Sequence, residues 1–189
     1  AATSWTDANG DFWLMGGFRS GPVGSAYWLN DLWKYNIVTN EWIWVKGDNS
    51  FNVEGVYGSI GVSSPSNKPG ARSSAVSWTD RDGKLWLMGG NASISGLNAL
   101  MNDLWRYDPV SNEWTWIKGS VVPNPTVKLQ GIYGIKGEPG PDNTPGARRS
   151  AFTWTDKEGK LWLFGGSGFG TSNTDGALND LWKFDPETN

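Results

Sequence analysis

The chain has 189 residues, enough for one sizeable domain, with 38% hydrophobic residues and a formal charge of −3. It holds neither cysteine nor histidine, which removes disulfides, thiol nucleophiles, imidazole bases and the usual zinc and copper ligands. An acidic balance, with a pI near 4.9, speaks against a nucleic-acid partner, whose phosphates need a basic surface, and no apolar stretch is long enough to span a membrane.

No signal peptide stands at Ala1, as expected of a mature product or of a segment of a longer chain. Trp5-Thr6-Asp7 opens a pattern that closes on the paired glycines Gly16-Gly17, and the block returns as Trp78-Thr79-Asp80 to Gly89-Gly90 and as Trp154-Thr155-Asp156 to Gly165-Gly166. The spacing within the block is constant, as a rigid hairpin requires. Asn30-Asp31-Leu32-Trp33 recurs as Asn102-Asp103-Leu104-Trp105 and Asn179-Asp180-Leu181-Trp182, with small insertions before it that mark a variable loop. Asn40-Glu41-Trp42-Ile43-Trp44 recurs once, at Asn112-Glu113-Trp114-Thr115-Trp116. Gly55-Val56-Tyr57-Gly58 returns as Gly131-Ile132-Tyr133-Gly134, and Pro69-Gly70-Ala71-Arg72 as Pro145-Gly146-Ala147-Arg148.

Each unit reads as four short strands. In the second, Ala75 to Thr79 turns through Asp80-Arg81-Asp82-Gly83 into Lys84 to Met88, which stops at the glycine pair. A third strand runs from about Asp103 to Tyr107, and Asp108 to Asn112 turn it into a fourth, where Trp114 and Trp116 point to one face. Four antiparallel strands per repeat make a blade, which must stack on neighbours to bury its faces. The expected fold is all-β, a propeller of three four-stranded blades with the last lacking its outer strand, about 11 strands in all. The units are 1–47, 71–119 and 147–189, joined by linkers 48–70 and 120–146, with each linker folded on a blade by its tyrosine.

The glycine pair closing the second strand, the aromatic in the third (Tyr35, Tyr107, Phe184) and the tryptophan opening the fourth (Trp42, Trp114) resemble the kelch repeat. The NDLW and PGAR wording is similar to long-repeat bacterial kelch proteins that resemble the central domain of galactose oxidase. The resemblance implies a non-catalytic interaction module at the cell surface or outside the cell. Copper-oxidase chemistry is excluded here, since it needs His ligands and a Cys-linked Tyr. Propellers close with about four to eight blades. Three blades therefore imply either the remainder of a longer propeller or a homodimer giving six.

The second-to-third strand loops (Phe18 to Leu29, Asn91 to Met101, Ser167 to Leu178) and the long linkers share one rim, the place where a rigid scaffold carries binding. Candidate ligand contacts are Phe18, Arg19, Tyr27, Trp28, Phe51, Phe169 and Asp175, with Arg72 and Arg148 near the channel mouth. Aromatics among Asn, Asp and Ser suit a protein or glycan ligand; the plainer reading is that they pin loops to the blade. Acids repeated in every unit, such as Asp7, Asp80 and Asp156, point to turn hydrogen bonds rather than catalysis. Arg72 and Arg148 either pair with carboxylates of a neighbouring blade or attract anions. Asp175, Asn173 and Asp180 could offer oxygens to Ca²⁺, but no cation loop pattern accompanies them, and no metal or cofactor is expected. A carboxylate enzyme would require unrepeated acids such as Asp48, Glu54, Glu138 or Asp142 to converge. A third reading makes self-assembly through the open blade faces the function.

Overall fold

The structure, a computed structural model, describes residues 1–21, 26–95, 97–121 and 126–188. Parts of two expected segments, residues 22–25 of the first loop and 122–125 of the second linker, lie outside the described residues, as do Gly96 and Asn189. No helix occurs among the described residues, and none is therefore long and apolar enough to cross a membrane.

Blade 1 is the antiparallel meander β1 (Thr3–Thr6), β2 (Phe12–Ser20), β3 (Ala26–Asn36) and β4 (Glu41–Lys46). The first linker contributes β5 (Ser63–Ser64). Blade 2 is β6 (Arg72–Ser73), β7 (Val76–Thr79), β8 (Leu85–Ile94), β9 (Leu97–Asp108) and β10 (Glu113–Lys118). Blade 3 is β11 (Arg148–Arg149), β12 (Phe152–Thr155), β13 (Leu161–Phe169) and β14 (Asp175–Phe184). Four, four and three main strands make the expected eleven. The three extra segments are β6 and β11, short inner pieces set off from β7 and β12 by Ser74 and Ser150 at positive φ, and β5, which adds to the outer edge of blade 2 beside β10.

The second and third strands are longer than the sequence suggests. Instead of stopping at the glycine pair, β2, β8 and β13 run on through it, with a register shift between Met15 and Gly17, between Met88 and Gly90, and between Phe164 and Gly166. A bulge at two positive-φ glycines absorbs one residue, after which the ladder resumes. Much of each expected loop is thus a β-ribbon projecting to the rim. The first glycine is also a point of close approach between blades. A Cβ on Gly16 would lie 2.7 Å from the Arg72 carbonyl oxygen, and one on Gly89 would lie 2.7 Å from that of Arg148.

Alternation puts one face of each blade against the next. Trp5, Trp13, Met15 and Leu32 of blade 1 form a buried cluster with Leu85, Leu87, Trp105, Tyr107 and Trp114 of blade 2. On the other side, Val76, Trp78, Trp86, Met88 and Leu104 meet Leu161 and Leu163 of blade 3. Indole arms cross both joints, Trp5 Nε1 donating to the Trp86 carbonyl at 2.9 Å and Trp78 Nε1 to that of Trp162 at 2.7 Å. Side-chain hydroxyls do likewise along the innermost strands, where Thr79 donates to the Thr6 carbonyl at 3.1 Å and Thr155 to that of Thr79 at 3.0 Å.

Two glycines separate the backbone requirement from the spatial one. Gly83 has φ +75° with nothing near a prospective Cβ, whereas at Gly89 (φ +66°) a Cβ would also meet the Met101 carbonyl oxygen at 2.9 Å. Gly83→Ala should cost about 1–2 kcal/mol, the left-handed penalty alone. Gly89→Ala adds an overpacking cost of about 1–3 kcal/mol. Urea unfolding midpoints for the two variants check this, and equal losses would remove the close approach as the reason for the glycine.

Candidate functional site

The rim rests on a buried charged node. Arg72 is 2% exposed, and its guanidinium meets Asp103 in a two-pronged pair, Nη1 to Oδ1 at 2.8 Å and Nη2 to Oδ2 at 2.7 Å. Two further donors go to the carbonyls of Gly70 and Gly89, each at 3.0 Å. Asp103 also accepts from Trp105 Nε1 at 2.7 Å and from the Tyr57 hydroxyl at 2.8 Å. Burial alone would raise the Asp103 carboxyl, but the Arg72 charge and these donors hold it below its usual range; burial, then Asp103, push the Tyr57 hydroxyl up. Blade 3 repeats the node with Arg148, Asp180, Trp182 and Tyr133. Both arginines are thus inside their own blades, paired with their own blade's carboxylate. Neither is exposed as a channel-mouth residue would be, nor does either reach a neighbouring blade's acid, because the inner piece carrying each one pairs with the second strand of its own blade, across which the guanidinium meets the carboxylate of the third.

On the rim of blade 1 the other candidates come together. Tyr27 and Phe51 have ring centroids 4.9 Å apart, and the Arg19 guanidinium lies 5.8 Å from the Phe51 ring centre. Phe18 packs on Trp28 at 5.6 Å. Asn52 staples the linker to the ribbon, its Oδ1 accepting from Trp28 N at 2.9 Å and its own N–H donating to the Trp28 carbonyl at 2.9 Å. Trp28 is buried, its Nε1 without a hydrogen-bond partner among the described residues, while Phe18 and Phe51 are nearly half exposed. These aromatics do pin the linker to the ribbon, as the plainer reading holds.

The equivalent place on blade 2 is open. Phe18, Tyr27 and Trp28 align with Asn91, Ala99 and Leu100 in the repeat, and Phe51, two residues before Val53, aligns with Val127, two before Leu129. Val53 and Leu129 are equivalent in the structure too, their carbonyls accepting from Ala71 and Ala147, each at 2.8 Å. Four smaller side chains where blade 1 has four aromatics leave a cleft of about 270 Å³ between blades 2 and 3. Its far wall is Phe169, Asn173, Asp175 and Arg149, with Lys128 from the linker. Asp175 accepts from Arg149 at 3.1 Å and from Ser167 Oγ at 3.2 Å. Phe169 is buried, with the Lys128 ammonium 5.4 Å from its ring centre. The side-chain amides of Asn91 and Asn98 have no hydrogen-bond partner among the described residues, so the cleft offers unspent donors and acceptors.

The acids are placed by turns and pairs. In each blade Asp7, Asp80 or Asp156 accepts from two backbone N–H groups of its hairpin and from the indole six residues on, at 2.9 Å for Trp13, 2.6 Å for Trp86 and 2.7 Å for Trp162. Of the unrepeated acids, Asp48 pairs with Lys68 at 2.7 Å and Glu54 accepts from Ser95 N at 3.1 Å. Asp180 is spent on Arg148, so it does not join Asn173 and Asp175 as a set of cation ligands.

Residues 81–115 match the kelch motif model, and the flanking units carry the same glycine bulge, indole–aspartate turn and stacking faces. The second unit carries a kelch motif. The solved structure of YjhT is similar at 16% identity and a TM-score of 0.45, over 89% of this chain, which spans 59% of that one. None of the curated proteins matches the sequence. The residues that the sequence did not single out, Asn91, Asn98, Lys128 and Arg149, are those around the open cleft. Their signal lies in the repeat alignment itself, where Ala99 stands at the position of Tyr27.

Burial would raise the Asp180 carboxyl, yet hydrogen bonds from Arg148, Trp182 and Tyr133 and the guanidinium charge bring it down to about 2. A folded value below the ordinary 3.8 stabilises the fold above about pH 4, and this contribution is lost as pH falls towards 2. Asp180→Asn should therefore be less stable than the parent at pH 7, with the gap narrowing between pH 4 and 2. Denaturant titrations across that range check it; a gap independent of pH would contradict the ion pair's role.

Proposed function

We propose that this kelch chain is a non-catalytic binding module whose ligand, a glycan or a polar protein segment, docks in the rim cleft between blades 2 and 3. The carrying observation is the contrast between blades: one rim position is filled by Phe18, Tyr27, Trp28 and Phe51, and its repeat is left open, with the amides of Asn91 and Asn98 unengaged among the described residues. At about 270 Å³ the cleft is just under the size of ordinary ligand pockets, about 300–1,000 Å³, and suits one sugar ring or a short side-chain motif. Amides, a lysine and an arginine–aspartate pair provide directional hydrogen bonds, the usual source of specificity for such ligands. A ligand of this kind fits an extracellular or cell-surface setting, which we propose for the chain.

Screening the chain against glycan and peptide arrays and titrating the hits by calorimetry tests the assignment. Asn91→Ala and Asn98→Ala should each weaken a cleft ligand by roughly three- to thirtyfold, about one neutral hydrogen bond or two. Ala99→Tyr, which rebuilds the blade 1 plug, should abolish binding while the fold persists. A ligand indifferent to all three variants would place the site elsewhere.

A second reading, self-association, rests on the outer faces of the terminal blades. Phe152, Trp154, Phe164 and Leu181 of blade 3 are 75%, 44%, 42% and 55% exposed. They are the repeats of Val76, Trp78, Met88 and Leu104, which blade 3 itself covers in blade 2. Blade 1 correspondingly exposes Phe12 and Trp42, the repeats of Leu85 and Trp114. The open face of one copy therefore has the chemistry of the surface that the other copy's open face would meet, and two copies would close six blades. Light scattering across concentration should find a dimer, and Phe152→Arg should give monomers; a parent that is monomeric at every concentration contradicts the reading.

A further inference from the structure

Each linker passes between two rim ribbons, and the first is tied to both. On the blade 1 side Asn52 closes the outer edge of β3 by itself. It donates its N–H to the Trp28 carbonyl at 2.9 Å, accepts the Trp28 N–H on Oδ1 at 2.9 Å, and donates from Nδ2 to the Ala26 carbonyl at 3.3 Å. Its φ of +58°, a left-handed turn that asparagine tolerates better than most residues, brings N–H and amide onto the same edge. Phe51, one residue earlier, packs on Tyr27. On the blade 2 side Glu54 accepts from Ser95 N at 3.1 Å.

The second linker leans to blade 3. Gln130, the repeat of Glu54, donates to Asn173 Oδ1 at 2.8 Å, and the Gly131 N–H to the Gly170 carbonyl at 2.8 Å. Lys128 takes the place of Asn52 without its positive φ and holds its ammonium over Phe169. Towards blade 2 the linker offers apolar contact, Val127 and Leu129 packing on Ala92, Ala99 and Met101.

The ladder register shows what this leaves open. Phe18–Trp28 and Asn91–Leu100 are each the pair after the bulge, and Ser20–Ala26 recurs as Ser93–Asn98. Trp28 turns its N–H and C=O away from β2, as alternate residues of an antiparallel ladder do, so Leu100 turns its own away from β8 and towards the cleft it lines. Leu100 N–H, Leu100 C=O and Asn98 C=O are thus the triplet that Asn52 satisfies in blade 1. Among the described residues no group of the linker bonds to any of the three.

We propose that this edge of β9 binds a peptide segment in which an aromatic residue is followed by asparagine, the chemistry of Phe51-Asn52, which rests on the rim cleft being the ligand site and makes that ligand a protein rather than a glycan. The asparagine carboxamide accepts from Leu100 N–H and donates to the Asn98 carbonyl, and the N–H of the same residue donates to the Leu100 carbonyl. A short primary amide supplies donor and acceptor from one planar group, which carboxylates, ammonium groups and aliphatic chains do not. The aromatic ring fills the space left where Asn91, Ala99 and Leu100 stand for Phe18, Tyr27 and Trp28. Main-chain bonds give such a segment affinity, and the side-chain pocket gives it selectivity.

The probe is the labelled, end-blocked peptide Asp-Asn-Ser-Phe-Asn-Val, residues 48–53 of this chain, titrated into the whole chain by fluorescence anisotropy, with amide hydrogen exchange to locate it. Protected β8 and β13 amides show that the sample is folded. In the free chain the Trp28 amide should be protected and the Leu100 amide should exchange much faster. The expected result is saturable one-to-one binding that slows Leu100 exchange and weakens by at least about tenfold when the asparagine after phenylalanine becomes leucine. The double variant Val127→Phe with Lys128→Asn, which rebuilds the staple inside the chain, should lose peptide binding. No saturable binding, equal binding of the leucine peptide, a Leu100 amide as protected as that of Trp28 in the free chain, or a folded double variant that still binds overturns the proposal. A glycan that binds with dependence on Asn91 and Asn98 where the peptide does not would overturn the peptide and leave the cleft as the ligand site, whereas failure of both removes the cleft as well.

Discussion

The arginine–aspartate pair inside each later blade holds four separate chain segments at one point. Arg72 takes the end of the linker through Gly70, the bulge through Gly89 and the third strand through Asp103, and Tyr57 brings the middle of the linker to the same carboxylate. Two buried charges are costly to desolvate, and such a pair is favourable only when its geometry is good and its other donors and acceptors are met. Here those conditions hold: the guanidinium is two-pronged on the carboxylate, and the carboxylate also accepts an indole and a phenol. The pair fixes which way the linker crosses the blade and therefore where the rim lies. Asp31 of blade 1 keeps only its tryptophan bond, to Trp33 at 2.6 Å, among the described residues.

Around that node the blade needs two further devices to become a wedge. Paired glycines let the strand kink and the neighbouring backbone come close, while indoles and hydroxyls reach across to the next blade's carbonyls. Both devices serve the joints, so the ribbons beyond the bulge are free to differ. That division explains how one repeat position is packed with aromatics in blade 1 and opens as a cleft in blade 2.

The repeats, the blade count and the hairpins were legible because they recur, and recurrence filters out accidents. Tyr57 and Tyr133 could be read as linker anchors for the same reason, and the structure places both on their node. Strand ends were misjudged at Met15, Met88 and Phe164 because paired glycines look like a terminus, while a bulge passes through them. Arg72 and Arg148 looked available because a charged side chain after a turn is usually solvated; only the three-dimensional fold sets Asp103 and Asp180 opposite them. The cleft was hidden for another reason. It arises from side chains that are small, and smallness stands out only when the loops are laid over one another in register.

The linkers also change what counts as one building block. Ser63 and Ser64 are made early but pair with Trp114 and Thr115, some fifty residues later in the chain. During synthesis each linker must wait for nearly a whole further blade to emerge before its last contacts can form. The cooperative unit is then a linker together with the blade that follows it, and recombination or shuffling of such units would preserve the fold when the cut falls just after a fourth strand, near Lys46 or Lys118, rather than at the Pro-Gly-Ala-Arg wording that marks the repeat to the eye.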